Sequence, residues 1–190
     1  FRGWARQRDL RTVEGVLADA LSRILGVEPR LSVAGRTDAG VHAVSQIAHF
    51  DTDAVRPPTA WVRGVNTHLP ATVAVLWAQA VADERFHARF AATARHYTYL
   101  LSDRSERPAL NASRVGWYHQ PLDLAAMQAG ALCLLGEHDF SAFRAAECQA
   151  KTPVKTIARL TVARHGNLIR FDCSANAFLH HMIRNIVGAL

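Results

Sequence analysis

A carboxylate set between glycines is the first place in this chain where chemistry is suggested. In Ala34-Gly35-Arg36-Thr37-Asp38-Ala39-Gly40-Val41-His42 a lone acid, Asp38, follows Arg36 by two residues and is bracketed by Gly35 and Gly40. Glycines there permit positive φ or the close approach of a ligand. Residue types alone leave two readings open. Asp38 is a turn residue whose side chain bonds local amides, or it is presented to a substrate, with Arg36 beside it. The stretch has neither the spacing of a Walker loop nor that of a dinucleotide fingerprint. Ten histidines raise a metal reading: His42 and His49 lie around a predicted strand, and His180-His181 are adjacent on a predicted helix. No H-E-x-x-H occurs and the cysteines lack zinc-ligand spacing, so no metal is expected.

Such groups need a scaffold, and 190 residues, about half of them apolar, suffice for one domain or two small ones. Lysine and arginine outnumber aspartate and glutamate by 22 to 16, and only Lys151 and Lys155 are lysines. The arginine fork fits phosphate and stacks on bases, which favours a nucleic-acid partner. A GC-rich coding bias explains the same excess, and charge alone does not separate the two. Cys133, Cys148 and Cys173 form no C-x-x-C pair, which points to reduced thiols in a cytoplasmic protein. No apolar run approaches membrane-spanning length, so no membrane partner is expected. Phe1 is no initiator and the chain stops in an apolar run, so an incomplete polypeptide is expected.

The clearest predicted helix follows Thr12 as N-cap, carries Val13, Val16, Leu17, Ala20, Leu21, Ile24 and Leu25, and stops at Gly26. Leu31–Val33, Val44–Phe50 and Val73–Val81 read as strands, with a short helix at Trp61–Val65. His96–Leu101 reads as a strand with Tyr97 and Tyr99 on one side. Residues 102–121 read as loop, Asp123 as the cap of a second helix ended by Gly136, and Lys155–Ala163 with Leu168–Cys173 as a hairpin. Asn176 is predicted to cap a last helix whose buried stripe includes Leu179, Met182, Ile183 and Ile186. This order predicts an α+β fold of two similar subdomains, 1–84 and 85–190, with mostly antiparallel sheet flanked by helices.

The motif Gly35-Arg36-Thr37-Asp38-Ala39-Gly40-Val41-His42 resembles the signature of the TruA-type tRNA pseudouridine synthases. Gly3-Trp4 with Gln7, Asn66-x-x-Leu69-Pro70, Phe86-His87-Ala88-Arg89-Phe90 and Arg95-x-Tyr97-x-Tyr99 continue the likeness. So does Asn176-Ala177-Phe178-Leu179-His180-His181-Met182-Ile183-Arg184-Asn185. Ala5 departs from it, standing where the family usually has a glutamine.

The resemblance implies isomerisation of uridine to pseudouridine at positions 38 to 40 of the tRNA anticodon arm, in a central RNA-binding cleft, by a homodimer without cofactor or metal. It implies Asp38 as the catalytic carboxylate, Arg184 as its cationic partner and Tyr97 as an active-site tyrosine that also meets the base. It makes Arg36 a holder of the flipped nucleotide. Without the resemblance, Arg184 lies off the apolar stripe and reads as a solvated arginine, Tyr97 as sheet packing, and Arg36 as a phosphate contact. Two other functions fit the same residues: a catalytically silent RNA binder, and a metal-dependent hydrolase using Asp38, His42 and His49.

Overall fold

The computed structural model describes residues 1–190, which divide into two compact units, Phe1–Ala92 and Thr93–Leu190. The first is organised around helix α1, Val13–Leu25. The Thr12 hydroxyl accepts the Gly15 N–H and Gly26 closes the helix at φ +77°, as the sequence predicts. Ala20 and Leu21 of its apolar stripe are buried with Val65, and Leu31, Phe50, Trp61, Leu69 and Val75 pack around them. A π-helical turn at Ala60–Gly64 crosses α1 where Gly64 leaves room for Ile24.

The sheet of this unit is short. β1 (Ser32–Val33) pairs antiparallel with β2 (Ala48–His49) over two residues, so only part of the predicted Val44–Phe50 strand joins a ladder. The predicted strand at Val73–Val81 is not one. Asn66 takes the place of a strand neighbour there: its side-chain amide donates to the Val75 carbonyl and its side-chain oxygen accepts the Val75 N–H, both at 2.8 Å.

The second unit holds a five-stranded sheet. β3 is Arg95–Ser102, β4 Gly116–Trp117, β5 Gly136–Asp139, β6 Val154–His165 and β7 Leu168–Ala175, in the order β4-β3-β7-β6-β5. All neighbours are antiparallel except β3 and β4. Alternation decides the faces. Leu160, Val162, Ile169, Phe171 and Cys173 point into a core with Phe140, Ile157 and Met127, while Thr98, Arg170 and Asp172 face outward.

Two helices cover that core, α2 (Leu124–Leu132) and α3 (Met182–Ala189). Asp123 caps α2 as predicted, accepting from Ala125 and Ala126 N–H groups. The helix ends before Gly136, which instead opens β5 at φ +95°. Residues 102–121 are not all loop, since β4 lies among them. The fold is α+β with a mostly antiparallel sheet flanked by helices, and no helix is long and apolar enough to cross a membrane.

Candidate active site

Asp38 sits half-buried on a turn whose backbone is tied down from two directions. From one side, β1 and β2 continue past their ladder: Ala34 N–H donates to Ile47 O at 2.8 Å, and the Gln46 side chain donates to Gly35 O at 2.7 Å. From the other, Trp4 N–H donates to Thr37 O at 2.9 Å. Gly3 lies so close, at φ +88°, that a Cβ there would stand 2.7 Å from Thr37 O and 3.2 Å from Ala39 N. The carbonyls of Gly3 and Trp4 in turn accept the N–H groups of Val13 and Glu14, first-turn donors of α1 that have no partner within the helix. Trp4 is buried, and Gln7 donates from its side-chain amide to Arg2 O, closing the same segment. Helix α1 thus positions Gly3 and Trp4, and these position the Asp38 turn.

The turn is closed by Val41 N–H on Asp38 O at 3.1 Å, with Gly40 at φ +78° in a conformation that favours glycine. Arg36 is exposed at its start. At the other end of the turn opens a shallow recess of about 610 Å³, lined by Ala39, Gly40, Phe1 and Leu10 and by two cations, Arg2 and Arg11.

His42 is exposed, whereas His49 has a structural partner: its Nδ1 accepts Ala88 N–H at 3.2 Å and its ring meets the edges of Phe86 and His87. That contact explains why the Phe86–Phe90 turn is built as it is. It also gives His49 a packing duty that the sequence did not indicate.

In the second unit two motifs far apart in sequence are matched side by side. Arg95 donates to Asn176 O at 2.9 Å, and the Tyr97 ring lies edge-on to Phe178 with centroids 4.9 Å apart. Tyr97 faces the core side of β3 opposite Cys173, whose thiol burial pushes up to about 12, so it stays protonated. Tyr99 is edge-on to Phe171, the packing role its position predicts.

Asn176 does not cap the last helix. Its side-chain oxygen accepts Thr156 and Ala177 N–H groups, which ties the bend after β7 to β6. α3 therefore begins at Met182, and His180 and His181 precede it rather than lying on it. His181 adopts φ +61°, and the two imidazoles lie 3.9 Å apart. His180 N–H donates to Cys148 Sγ, and Asn185 donates to Phe143 O, pinning the entry to α3. Arg184 is exposed on α3, away from the buried Met182 and Ile186.

Asp38 and Arg36 thus belong to the first unit, and Tyr97 and Arg184 to the second. The sequence reading assigned no role to Phe178 or to the Gly3–Trp4 clamp, although both lie inside motifs it singled out.

Comparison with known proteins identifies the family. A family model described as tRNA pseudouridine synthase matches residues 1–91 and 131–190. The chain is 59% identical over 190 residues to a tRNA pseudouridine synthase A of Dechloromonas aromatica, covering all of this chain and 72% of that protein. It is 58% identical to the one of Methylobacillus flagellatus and 55% to that of Thiobacillus denitrificans, again over its whole length and 72% and 73% of theirs. A glycine-bracketed aspartate clamped by a Gly-Trp segment, in a chain this similar to those proteins, leaves one assignment: the chain belongs to the tRNA pseudouridine synthase family.

Proposed function

We propose that this chain is an isomerase that converts uridine to pseudouridine at positions 38 to 40 of the tRNA anticodon stem-loop, with Asp38 as the catalytic carboxylate. One observation carries the reading: within a member of this family, the half-buried Asp38 stands on a turn braced by Gly3, Trp4 and Gln46. A reacting group has to be held to within a fraction of an ångström, and a doubly anchored turn does that.

The reaction breaks the N1–C1′ bond, turns the uracil and joins C5 to C1′. C5 gives up a proton and N1 finishes carrying one, so atoms balance with no water consumed and no redox change. For that reason neither cofactor nor metal belongs to the proposal. The carboxylate serves as nucleophile, or accepts the 2′ proton on a glycal route. Tyr97 is assigned to the base and to movement of the C5 proton; Phe178 fixes its ring. Arg184 is assigned as the cation that offsets desolvation of the carboxylate beside a bound base. Arg36 holds the nucleotide extruded from the stem, a step that costs a few kcal/mol. tRNA phosphates supply most of the affinity, to a cytoplasmic homodimer in this reading, so binding falls steeply with salt.

The deciding experiment is mass-spectrometric mapping of uridines in tRNA incubated with the protein and with Asp38→Asn. The variant is expected to form no pseudouridine while its tRNA affinity stays within a few-fold, because one charge is lost and little shape. Turnover by Asp38→Asn at the wild-type rate would reject the assignment. Activity of the wild type in excess EDTA is expected to persist, which would exclude the metal-dependent hydrolase.

A further inference from the structure

We propose that residues 104–119 form a second RNA-contacting surface: a rigid platform on which unpaired nucleobases stack, flanked by arginines that meet phosphate. The inference rests on tRNA being the substrate and goes beyond it by naming a surface remote in sequence from the Asp38 turn.

The segment carries Arg104, Arg107 and Arg114 followed by Trp117, Tyr118 and His119, against one solvent-facing acid, Glu106. Trp117 and Tyr118 are 43% and 42% exposed, a large outlay for aromatic rings. They are not scattered. The Tyr118 and His119 centroids lie 5.2 Å apart and those of Trp117 and His119 6.3 Å, so the three rings make a continuous patch.

The patch is also held still. β4 pairs with β3 through Leu101 with Gly116 and Ser102 with Trp117, and Tyr118 N–H donates to Ser102 O at 2.9 Å. The Trp117 indole N–H donates to Arg104 O at 2.8 Å, so its one donor is used within the protein and the exposed part offers ring surface. Gly116 eases this seat: a Cβ there would stand 2.7 Å from the Tyr99 hydroxyl and push that ring aside.

Ordered aromatic rings beside guanidinium groups suit nucleic acid in two ways. Every base has a π-face, so stacking tolerates any sequence, and arginine contacts phosphate while stacking in its own right. A protein partner is the poorer fit, because the centres of protein interfaces are depleted in charge and this segment carries three exposed arginines, of which Arg104 lies 4.0 Å from Glu106.

The test measures the affinity of the full chain for an anticodon stem-loop RNA, with ultraviolet crosslinks mapped onto the protein. Trp117→Ala is expected to weaken Kd about tenfold, Trp117→Phe to stay within about threefold because the ring is kept, and crosslinks to fall within 104–119. Arg107→Gln with Arg114→Gln is expected to lower the slope of log Kd against log salt by about 1.4, two phosphates' worth for single-stranded RNA. Unchanged Kd for Trp117→Ala overturns the proposal, as does a loss of self-association with RNA affinity intact, which would make the patch a protein interface. If Trp117→Ala does not fold, the arginine pair decides, and an unaltered salt slope is a negative answer. Kd is read without turnover, so a protein that binds RNA through this surface but makes no pseudouridine would sink the proposed function and leave the platform standing.

Discussion

Arg184 shows how one residue changes meaning with context. Its helix buries Met182 and Ile186, and the guanidinium stands on the exposed side. By periodicity that describes any solvated arginine; under the proposed function it is the cation beside the carboxylate. The two roles separate experimentally. Arg184→Lys keeps the charge and loses the bidentate fork, so kcat is expected to drop about tenfold with the melting temperature unchanged. A solvated arginine would show no change in either. The turn that carries Asp38 was legible locally, since Gly35 and Gly40 bracket it without any tertiary knowledge. Phe178 was not, because nothing about its position in Asn176–Asn185 says that its ring will meet Tyr97.

Among the elements, α1 was readable almost to the residue, since Thr12, the apolar stripe and Gly26 are local signals. The strands of the first unit were harder. Val73–Val81 alternates as a strand should, yet Asn66 satisfies Val75 where a neighbouring strand was expected. The segment before α1 bears on the Asp38 turn directly, because a Cβ at Gly3 would run into the backbone of Thr37 and Ala39 on either side of Asp38. Gly3→Ala combines a positive φ with a clash against backbone, and a loss of about 2 kcal/mol is expected together with lowered kcat. Gly40→Ala meets nothing within 4 Å. It carries backbone strain alone, about 1 kcal/mol, and thermal melts beside single-turnover rates would separate the two. Equal effects would mean that Gly3 is a conformational glycine and no clamp.

For the molecule as a whole, the second unit depends on a charge pair placed where its sheet meets its helices. Asp103, buried at the end of β3, accepts two bonds from Arg164 of β6, at 2.9 and 2.6 Å, and the Leu122 N–H just before α2. The Arg164 guanidinium holds the Asp103 carboxyl down to about 2, against a burial that would raise it. An unfolded aspartate titrates near 3.9. Because the folded value is the lower one, the pair stabilises fully above about pH 4 and is lost as pH falls through about 2. Asp103→Asn is expected to cost about 2 kcal/mol at neutral pH. The gap from wild type should close between pH 4 and 2, and a gap constant across that window in acid melts would show that the ion pair is not its source.

The amino-acid sequence determined the family motif, α1, the β6-β7 hairpin and the α+β class, because caps, turn residues and apolar periodicity act over a few neighbouring positions. Tertiary structure alone decided that Gly3 and Trp4 meet Thr37, that Arg95 and Tyr97 meet Asn176 and Phe178, and that Asn176 serves β6 instead of α3. Each joins segments distant along the chain, and which partner satisfies a polar group or fills a gap is settled only when those segments pack.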